Sequence, residues 1–258
     1  MACYGLATAS SRGVGRALAE AQASLSCSLV VASRSIESLR AAAREISEAY
    51  GVEVLPVKCD MRSKSDVEKL LESAFEWFGR LDYVTLSYGN PSREPLYVHE
   101  AEWEDWIEAA QLYLASTALV IKKLVELNPA RALLLAVTSF SVAEPMSPLV
   151  VSDATRAGLS RILKVAARSY PDKLRTILLV LGSFETPGAK RTIEALARSR
   201  GEDPRELWRR EVEARSPLRR AGSLAELRDF VAGLLRSPEY LTGAVVLFDG
   251  ASSRTAWP

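Results

Sequence analysis

Histidine and cysteine are scarce in this chain. Its 258 residues include one histidine, His99, and three cysteines, Cys3, Cys27 and Cys59. A lone histidine excludes a histidine pair for metal binding or proton relay, and the cysteines match no metal or redox spacing. Each cysteine lies in or beside an apolar segment, so we expect three buried, reduced thiols rather than a disulfide framework. The sequence predicts no metal site.

An excess of one charge and long apolar runs are also missing. Lys and Arg total 33 against 32 Asp and Glu, a formal net charge of +1. This balance gives no reason to expect nucleic acid or an anionic membrane as a partner. The longest apolar runs, such as residues 132–137, are far shorter than the roughly 20 residues that span a bilayer. Because the N-terminus enters an apolar segment without a basic leader, we expect a soluble, cytoplasmic protein. With no sign of nucleic acid or membrane as a partner, we expect it to act on a small molecule.

Short apolar runs alternate with amphipathic stretches along the whole chain. Hydrophobic residues make up 48% and charged residues 25% of the sequence, as in ordinary globular proteins. The alternation predicts one α/β domain over residues 1–258, a Rossmann-type doubly wound parallel sheet of about seven strands with helices on both faces. The predicted strands are Ala2–Ala7, Ser28–Ala32, Val52–Lys58, Tyr83–Ser87, Arg131–Thr138, Leu174–Leu181 and Ala244–Phe248, and the predicted helices lie near 14–26, 36–50, 64–78, 103–127, 154–170 and 223–236.

Residues 183–222 interrupt this alternation. They place several prolines and glycines around two short helical stretches. A long connection after the sixth strand is a natural place for a functional loop. We therefore predict that this segment is a substrate lid.

The first predicted strand runs into a glycine-containing turn, residues 8–15, which reads Thr-Ala-Ser-Ser-Arg-Gly-Val-Gly. Glycines at such a turn let the backbone approach a pyrophosphate, and the amides at the start of the next helix bind its charge. A tight strand-to-helix turn without a ligand is the alternative interpretation. Its place at the first turn of the sheet favours nucleotide binding.

This turn resembles the Thr-Gly-x-x-x-Gly-x-Gly fingerprint of the short-chain dehydrogenase/reductase family. Thr8, Gly13 and Gly15 match it in register, and Ala9 replaces the first glycine, which an alanine can do if its φ is negative. The resemblance covers almost the whole chain and includes 3-oxoacyl-acyl-carrier-protein-reductase-like and glucose-dehydrogenase-like members. It implies that the turn binds a dinucleotide through Thr8, Ser10, Ser11, Arg12, Gly13, Val14 and Gly15.

The family selects its cofactor at the end of the second strand, where this chain carries Arg34 and no acidic residue. Arg34, with Arg12, can pair with a 2′-phosphate, which favours NADP(H) over NAD(H), although NAD(H) stays possible. The alternative is two surface arginines. The resemblance places Asp60 and Met61 beside the adenine; Asp60 could equally belong to the N-cap region of the next helix.

Further family positions are recognisable at the later strand ends. Gly89 matches the glycine after the fourth strand. Residues 181–186 resemble the segment that holds the nicotinamide amide, which implies that Gly182, Phe184 and Thr186 bind the cofactor. The family commonly assembles through the helices after strands four and five, so the resemblance implies a homodimer or homotetramer.

The catalytic residue types of the family are replaced. Ser139 occupies the position of its catalytic serine, but its Tyr-x-x-x-Lys pair reads Ser152 and Arg156, with the family spacing kept on both sides. Serine is a far weaker acid than tyrosine, so Ser152 can bond a substrate oxygen but is a poor proton donor. Arg156 stays charged; it can hold the cofactor and polarise the site, and it cannot relay a proton.

A tyrosine elsewhere could supply the missing phenol. Aligning the basic pair in the long helix puts Tyr113 at the family's active-site Asn, whereas a gap-free count back from Ser139 puts Gln111 there. We hypothesise that Tyr113 or Tyr88 is the donor. An aromatic ring that fills the space left by the lost tyrosine is an equally good interpretation.

Three functions follow from these observations. The leading hypothesis is an NADP(H)-dependent oxidoreductase that acts on a carbonyl or secondary alcohol with an atypical proton donor. The second is a non-catalytic dinucleotide-binding sensor or scaffold. The third is the reduction of an activated C=C bond.

Overall fold

The computed structural model describes residues 2–255 and contains one parallel sheet. Its strands are β1 (Cys3–Ala7), β2 (Cys27–Ser33), β3 (Val54–Lys58), β4 (Tyr83–Leu86), β5 (Ala132–Ser139), β6 (Leu174–Leu181) and β7 (Ala244–Phe248). They are hydrogen-bonded in the order β3-β2-β1-β4-β5-β6-β7. The predicted fold class and strands are confirmed.

The helices follow the predicted amphipathic stretches. They are α1 (Gly13–Ala23), α2 (Ile36–Tyr50), α3 (Lys64–Phe78), α4 (Trp103–Ala109), α5 (Ser116–Leu127), α6 (Val150–Ser169), α7 (Pro187–Arg200), α8 (Pro204–Trp208) and α9 (Leu224–Leu235). A π-helical turn, Ala110–Ala115, joins α4 to α5 within the single helix predicted over 103–127. Helix α6 starts at Val150 rather than near 154, so Ser152 lies in its first turn.

Helices cover both faces of the sheet, which explains why β5 and β6 are apolar throughout. Successive residues of β5 point to opposite faces. Leu134 packs with residues of α3, α5 and α6, whereas Leu133 and Leu135 pack with α1 and α9. The apolar sequence of these strands thus serves two separate cores.

The chain order creates a crevice at the carboxyl edge of the sheet. After β3 the chain crosses to the other side of β1, so β1 and β4 are neighbours whose following loops diverge. Ligands of open α/β sheets bind at such a switch point. Most predicted site residues follow the carboxyl ends of β1 to β6 or start the next helix, whereas Tyr113 lies in the π-helical turn and Arg156 in the second turn of α6.

The cysteine prediction is wrong for two of the three residues. Cys3 and Cys27 form a disulfide, because the parallel register of β1 and β2 sets them directly opposite each other with their Cα atoms 4.4 Å apart. This pairing lies at the amino ends of the strands, away from the crevice. Cys59 is a buried free thiol, as predicted, and burial raises its pKa to about 12.

Within residues 2–255, no helix combines the length and the apolar character needed to cross a membrane. The same residues contain no group of three or more His, Cys, Asp and Glu side chains that could hold a metal ion.

Candidate functional site at the carboxyl edge of the sheet

The glycine turn brings α1 into direct contact with the end of β1. A Cβ added to Gly15 would lie 2.3 Å from the carbonyl oxygen of Ala9, so only glycine fits there. Gly13 has a φ of +60°. The first turn of α1 contains no acidic residue, and Arg12 at its N-cap makes no side-chain capping bond. The first amides of α1 are therefore suited to bind an anion.

Ala9 adopts a φ of +53°, so the condition of a negative φ is not met. A left-handed conformation costs a non-glycine residue about 1–2 kcal/mol. The neighbours of Ala9 hold the turn in place: the Ser10 amide donates to Ala32 O at 2.9 Å, and its Oγ donates to Ala7 O at 2.8 Å. The turn keeps its shape at the cost of local strain in Ala9.

Thr8 and Ser10 shape the turn and do not present their hydroxyls to the crevice. Thr8 is buried; its Oγ1 donates to Ser87 O at 2.7 Å and accepts from the Ser87 amide at 3.0 Å, which ties β1 to the end of β4. Ser11 and Val14 are half-buried at the surface of the turn. Of the predicted cofactor residues, Thr8 and Ser10 are therefore buried and support the turn, whereas Ser11 and Val14 stay partly accessible.

Arg34 and Arg12 are exposed at the rim of the crevice. Neither side chain has a hydrogen bond or an ion pair among the residues that the structure describes. The Nη2 atom of Arg34 lies 3.9 Å from where a Cβ on Gly89 would be, which places this guanidinium over the end of β4. The two guanidinium groups of the predicted phosphate-binding pair are therefore exposed and make no bond among the described residues, which suits them to bind an anion.

Asp60 is engaged by a neighbouring arginine. Arg62 donates from Nε to Asp60 Oδ1 at 2.9 Å and from Nη2 to Oδ2 at 2.6 Å, and this bonding holds the pKa of Asp60 below its usual value. Arg62 also donates to Glu108. The N-cap of α3 is Ser63, and Met61 is buried, with its sulfur 3.9 Å from the Cys59 sulfur.

The segment after β6 reaches back to the glycine turn. A Cβ on Gly182 would lie 2.6 Å from the Cα of Asp249, and Phe184 is buried, so both residues fix the course of the chain. Thr186 is the N-cap of α7, with its Oγ1 accepting from the Ala189 amide at 3.1 Å. Its Cβ lies 3.6 Å from a Cβ position on Gly13, so α7 begins beside the turn.

Ser139 and Ser152 differ in accessibility. Ser139 ends β5 half-buried, and its Oγ accepts from the Ser141 amide at 3.3 Å. Ser152 is fully buried, and both its amide and its Oγ donate to the carboxylate of Glu94 at 2.7 Å. The residue at the family's tyrosine position is therefore already paired with an acid.

Arg156 is bound to Tyr113, whereas the side chain of Gln111 is exposed. The Nη2 atom of Arg156 donates to the Tyr113 hydroxyl at 2.6 Å and to Asn90 Oδ1 at 3.3 Å. The guanidinium carbon also lies 4.7 Å from the centre of the Tyr113 ring. The hydroxyl in turn donates to Gly89 O at 3.0 Å.

Both candidate tyrosines hold their protons tightly. Burial raises the pKa of Tyr113 to about 12, although the charge of Arg156 opposes the shift. Burial also raises the pKa of Tyr88, whose hydroxyl is bonded to Thr117. Because the Thr117 hydroxyl donates to the Tyr113 carbonyl at 2.6 Å, the Tyr88 proton points into the helix and away from the crevice.

Sequence reasoning missed Glu94 and Asn90, both in the loop after β4. Glu94 is half-buried, and burial raises its pKa while the bonds from Ser152 oppose that shift. The Leu96 amide donates to Pro148 O at 2.8 Å, which fixes this loop against the start of α6. The signal in the sequence was Glu94, an acidic residue in the loop after β4, in a chain that has Ser152 at the position of the family's tyrosine.

Comparison with known proteins gives consistent results over nearly the whole chain. The sequence model of a family described as enoyl-(acyl carrier protein) reductase matches residues 8–252. Glucose 1-dehydrogenase 2 of Bacillus subtilis (strain 168) is 25% identical over 250 residues, 95% of this chain and 92% of that protein. The 3-oxoacyl-(acyl-carrier-protein) reductase FabG of Aquifex aeolicus (strain VF5) is 27% identical over 250 residues, 95% of each.

A solved structure shows the same similarity in three dimensions. L-Sorbose reductase from Gluconobacter frateurii, described as complexed with NADPH and L-sorbose, has a TM-score of 0.91 to this chain at 25% identity. The match covers 98% of this chain and 97% of that one.

Proposed function

The chain belongs to the short-chain dehydrogenase/reductase family, and we propose that it is an NADP(H)-dependent oxidoreductase that transfers hydride between the nicotinamide and a carbonyl or secondary alcohol. The family model over residues 8–252 and the curated relatives confirm the resemblance read from the motifs. NADPH is named in the description of the L-sorbose reductase structure. The choice of cofactor for this chain is part of the proposal.

The observation that carries the proposal is the pair of uncommitted arginines beside the glycine turn. The close approach of Gly15 to Ala9 and the open amides of α1 suit a pyrophosphate. Arg34 stands where an acidic residue would otherwise hold the ribose hydroxyls, and its guanidinium is suited to a 2′-phosphate. The donor set thus fits NADP(H), and NAD(H) is the cofactor to test against it.

The proposed roles in the reaction follow from accessibility. When bound, the reduced nicotinamide supplies the hydride. Ser139, half-exposed at the end of β5, orients the substrate oxygen through its hydroxyl. Arg156 holds the cofactor and polarises the site, and Tyr113 fixes its guanidinium. Tyr113 also remains the sequence-based candidate for the proton donor.

Titration with NADPH and with NADH, followed by calorimetry, tests the proposal. In Arg34→Ala we expect the affinity for NADPH to fall by about 10- to 100-fold, the loss of one charge-assisted contact, with little change for NADH. Arg40→Ala is the matched control, since Arg40 is an exposed arginine of the adjoining helix α2. Equal losses for both nucleotides in Arg34→Ala would contradict the 2′-phosphate assignment.

A substrate panel then separates the remaining functions. Consumption of NADPH with a ketone or aldehyde supports the leading hypothesis. A second candidate, reduction of an activated C=C bond, is favoured by the description of the matching family model and predicts turnover with a 2-enoyl thioester instead. Tight NADPH binding without turnover of either class would indicate the non-catalytic sensor or scaffold.

We propose that residues 183–222 act as the substrate lid. Helix α7 already touches the active-site side of the crevice, where Asn90 Nδ2 donates to Thr192 Oγ1 at 3.4 Å. A shortened segment should raise the KM for substrate more than the dissociation constant for NADPH. An equal fold increase in the KM for substrate and in the dissociation constant for NADPH would contradict a lid.

We also propose a homodimer or homotetramer built on the helices that follow β4 and β5. Trp103 on α4 is 75% exposed and Val165 on α6 is 61% exposed, which suits these helices to a protein contact. Sedimentation of Trp103→Glu against the parent tests this assembly, and an unchanged mass would contradict it. The cytoplasmic location stays a prediction.

A further inference from the structure

We propose that the carboxyl group of Glu94 is the proton donor of this reductase, in the place that the family gives to a tyrosine. The inference rests on the proposed function, because it names the acid for that reaction. It goes beyond the resemblance, since Glu94 lies at none of the catalytic positions of the family, which fall on Ser139, Ser152 and Arg156 here.

Glu94 is held against the residue that replaced the tyrosine. The Ser152 amide donates to Glu94 Oε1 and the Ser152 hydroxyl donates to Oε2, both at 2.7 Å. These two bonds fix the plane of the carboxyl group. Fifty-eight residues separate the partners in sequence, so the loop after β4 and the first turn of α6 build the pair together.

The pocket can satisfy the carboxyl group in both protonation states. When Glu94 is ionised, the Ser152 hydroxyl donates to it. When Glu94 is protonated, Ser152 can turn its proton to Leu149 O, which lies 3.3 Å from Oγ, and accept from Glu94 instead. A serine hydroxyl both donates and accepts, which makes this exchange available without moving the backbone.

Accessibility favours Glu94 over Ser152 and Tyr113; Tyr88 is also half-buried, but its proton is directed to Thr117. Ser152 and Tyr113 are both 0% exposed, and the Tyr113 proton is committed to the Gly89 carbonyl. Glu94 is half-buried and keeps part of its surface open. A proton donor must come within hydrogen-bond reach of the substrate oxygen, and of Glu94, Ser152 and Tyr113 only Glu94 has an accessible surface.

The surroundings of Glu94 favour its protonated form more than the surroundings of an exposed glutamate would. Burial raises its pKa, the bonds from Ser152 and the charge of Arg156 lower it, and the charge of Asp153 raises it. Arg156 directs its bonds to Tyr113 and Asn90 and forms no ion pair with Glu94 among the described residues. Asp153 is committed to Ser141 and to the Met146 amide.

The proposed step is the reduction of a carbonyl group to an alcohol. The carbonyl carbon accepts a hydride, with its electron pair, from the dihydronicotinamide. The π-electron pair of the C=O bond moves to the oxygen, which takes the proton of Glu94 and forms the new O–H bond. Glu94 is left as a carboxylate bonded to Ser152 and regains a proton from water.

Glu94→Gln, compared with the parent over a range of pH, tests the donor role. The parent should lose kcat/KM for reduction as the pH rises through the pKa of Glu94, because the ionised form has no proton to give. In Glu94→Gln the rate should fall about 10²- to 10⁴-fold and this basic limb should disappear. Glu100→Gln is the matched control, since it makes the same change in the same loop on an exposed side chain.

Ser152→Ala distinguishes an acid from a carboxylate that merely caps α6. Removing the hydroxyl takes away one bond to the ionised form, so the basic limb should move to higher pH. If Glu94 only supported the helix, the variant would lower the rate without moving the limb. An unmoved limb, or a limb that survives in Glu94→Gln, overturns the proposal.

Unfolding of the protein without cofactor gives a readout that does not depend on turnover. A carboxyl group with a raised pKa destabilises the fold as pH rises from the unfolded value, about 4.3, through the folded one. The parent should therefore lose stability relative to Glu94→Gln over that interval, and a difference independent of pH contradicts the inference. If the parent binds NADPH but reduces no carbonyl, the proposed function fails and the donor role fails with it. If it reduces carbonyls while Glu94→Gln keeps the limb, only the donor role fails.

Discussion

The two halves of the crevice differ in what they retain from the family. The proposed cofactor half, at the ends of β1 to β3, has the close approach of a glycine turn: a Cβ on Gly15 would lie 2.3 Å from Ala9 O, and Arg34 is exposed at the rim. The proposed catalytic half, at the ends of β4 and β5 and the start of α6, keeps the family's spacing but not its residue types. Ser152 and Arg156 stand where tyrosine and lysine would, and each has a new partner.

This difference reflects how each half works. A pyrophosphate is bound largely by backbone amides and close approach, so the turn survives the exchange of a glycine for Ala9 despite its φ of +53°. Proton transfer depends on one side chain with a suitable pKa, so its loss requires another acid in reach. The catalytic half can therefore be rebuilt while the cofactor half changes little.

Gly15→Ala should have the largest effect and would break the cofactor half. The new Cβ would lie 2.3 Å from Ala9 O, a backbone atom that cannot turn away. We expect a loss of about 1–3 kcal/mol in the free energy of unfolding and of at least about 100-fold in NADPH affinity. Calorimetry and chemical denaturation measure both.

Gly233→Ala is the control for this change, because nothing lies within 4 Å of a Cβ at that position in α9. Alanine in a helix interior should raise stability by about 0.5–1 kcal/mol. Equal behaviour of the two variants would show that the close approach at Gly15 is not needed.

Tyr113→Phe should have an intermediate effect and tests whether Tyr113 positions Arg156 or donates the proton. The variant removes the hydroxyl that accepts from Arg156 and donates to Gly89 O. If Tyr113 only positions Arg156, kcat/KM should fall by about tenfold, the loss of one hydrogen bond of about 1.4 kcal/mol, with the basic limb kept. Loss of the limb in this variant would make Tyr113 the donor and contradict the role of Glu94.

Arg62→Ala should have the smallest effect. It tests the arginine that links Asp60, after β3, to Glu108 in α4. Arg62 holds the pKa of Asp60 below its usual value, so their bond stabilises the fold above about pH 4 and this contribution is lost as the pH falls further. We expect a loss of about 1 kcal/mol at neutral pH that vanishes in acid. A loss that persists in acid would indicate that Arg62 acts through packing.

The sequence predicted the fold well because each strand and helix carries its own pattern. The apolar runs predicted all seven strands. The spacing of Ser139, Ser152 and Arg156 predicts a catalytic site at the end of β5 and the first two turns of α6, where these residues lie. The choice between Tyr113 and Gln111 stayed open because the π-helical turn changes which side chains face α6. Local periodicity does not report such a change.

The contacts that the sequence could not predict all join distant segments. Glu94 reaches Ser152 from the loop after β4, and Cys3 meets Cys27 through the register of two strands. Neither pairing leaves a spacing motif, because its partners belong to different elements. The positive φ of Ala9 was missed for a related reason: the amide bond of Ser10 that helps to hold the turn reaches Ala32 in β2.

We expect the proposed cofactor and catalytic halves to be separable. Measuring the NADPH dissociation constant and the turnover of Glu94→Gln and of Arg34→Ala side by side tests this. We predict that Glu94→Gln keeps the dissociation constant within about twofold of the parent while losing turnover, because Glu94 and Arg34 share no hydrogen bond or ion pair among the described residues. Arg34→Ala should weaken NADPH binding and keep the basic limb. Weakening of NADPH binding in Glu94→Gln as large as that in Arg34→Ala would contradict the account.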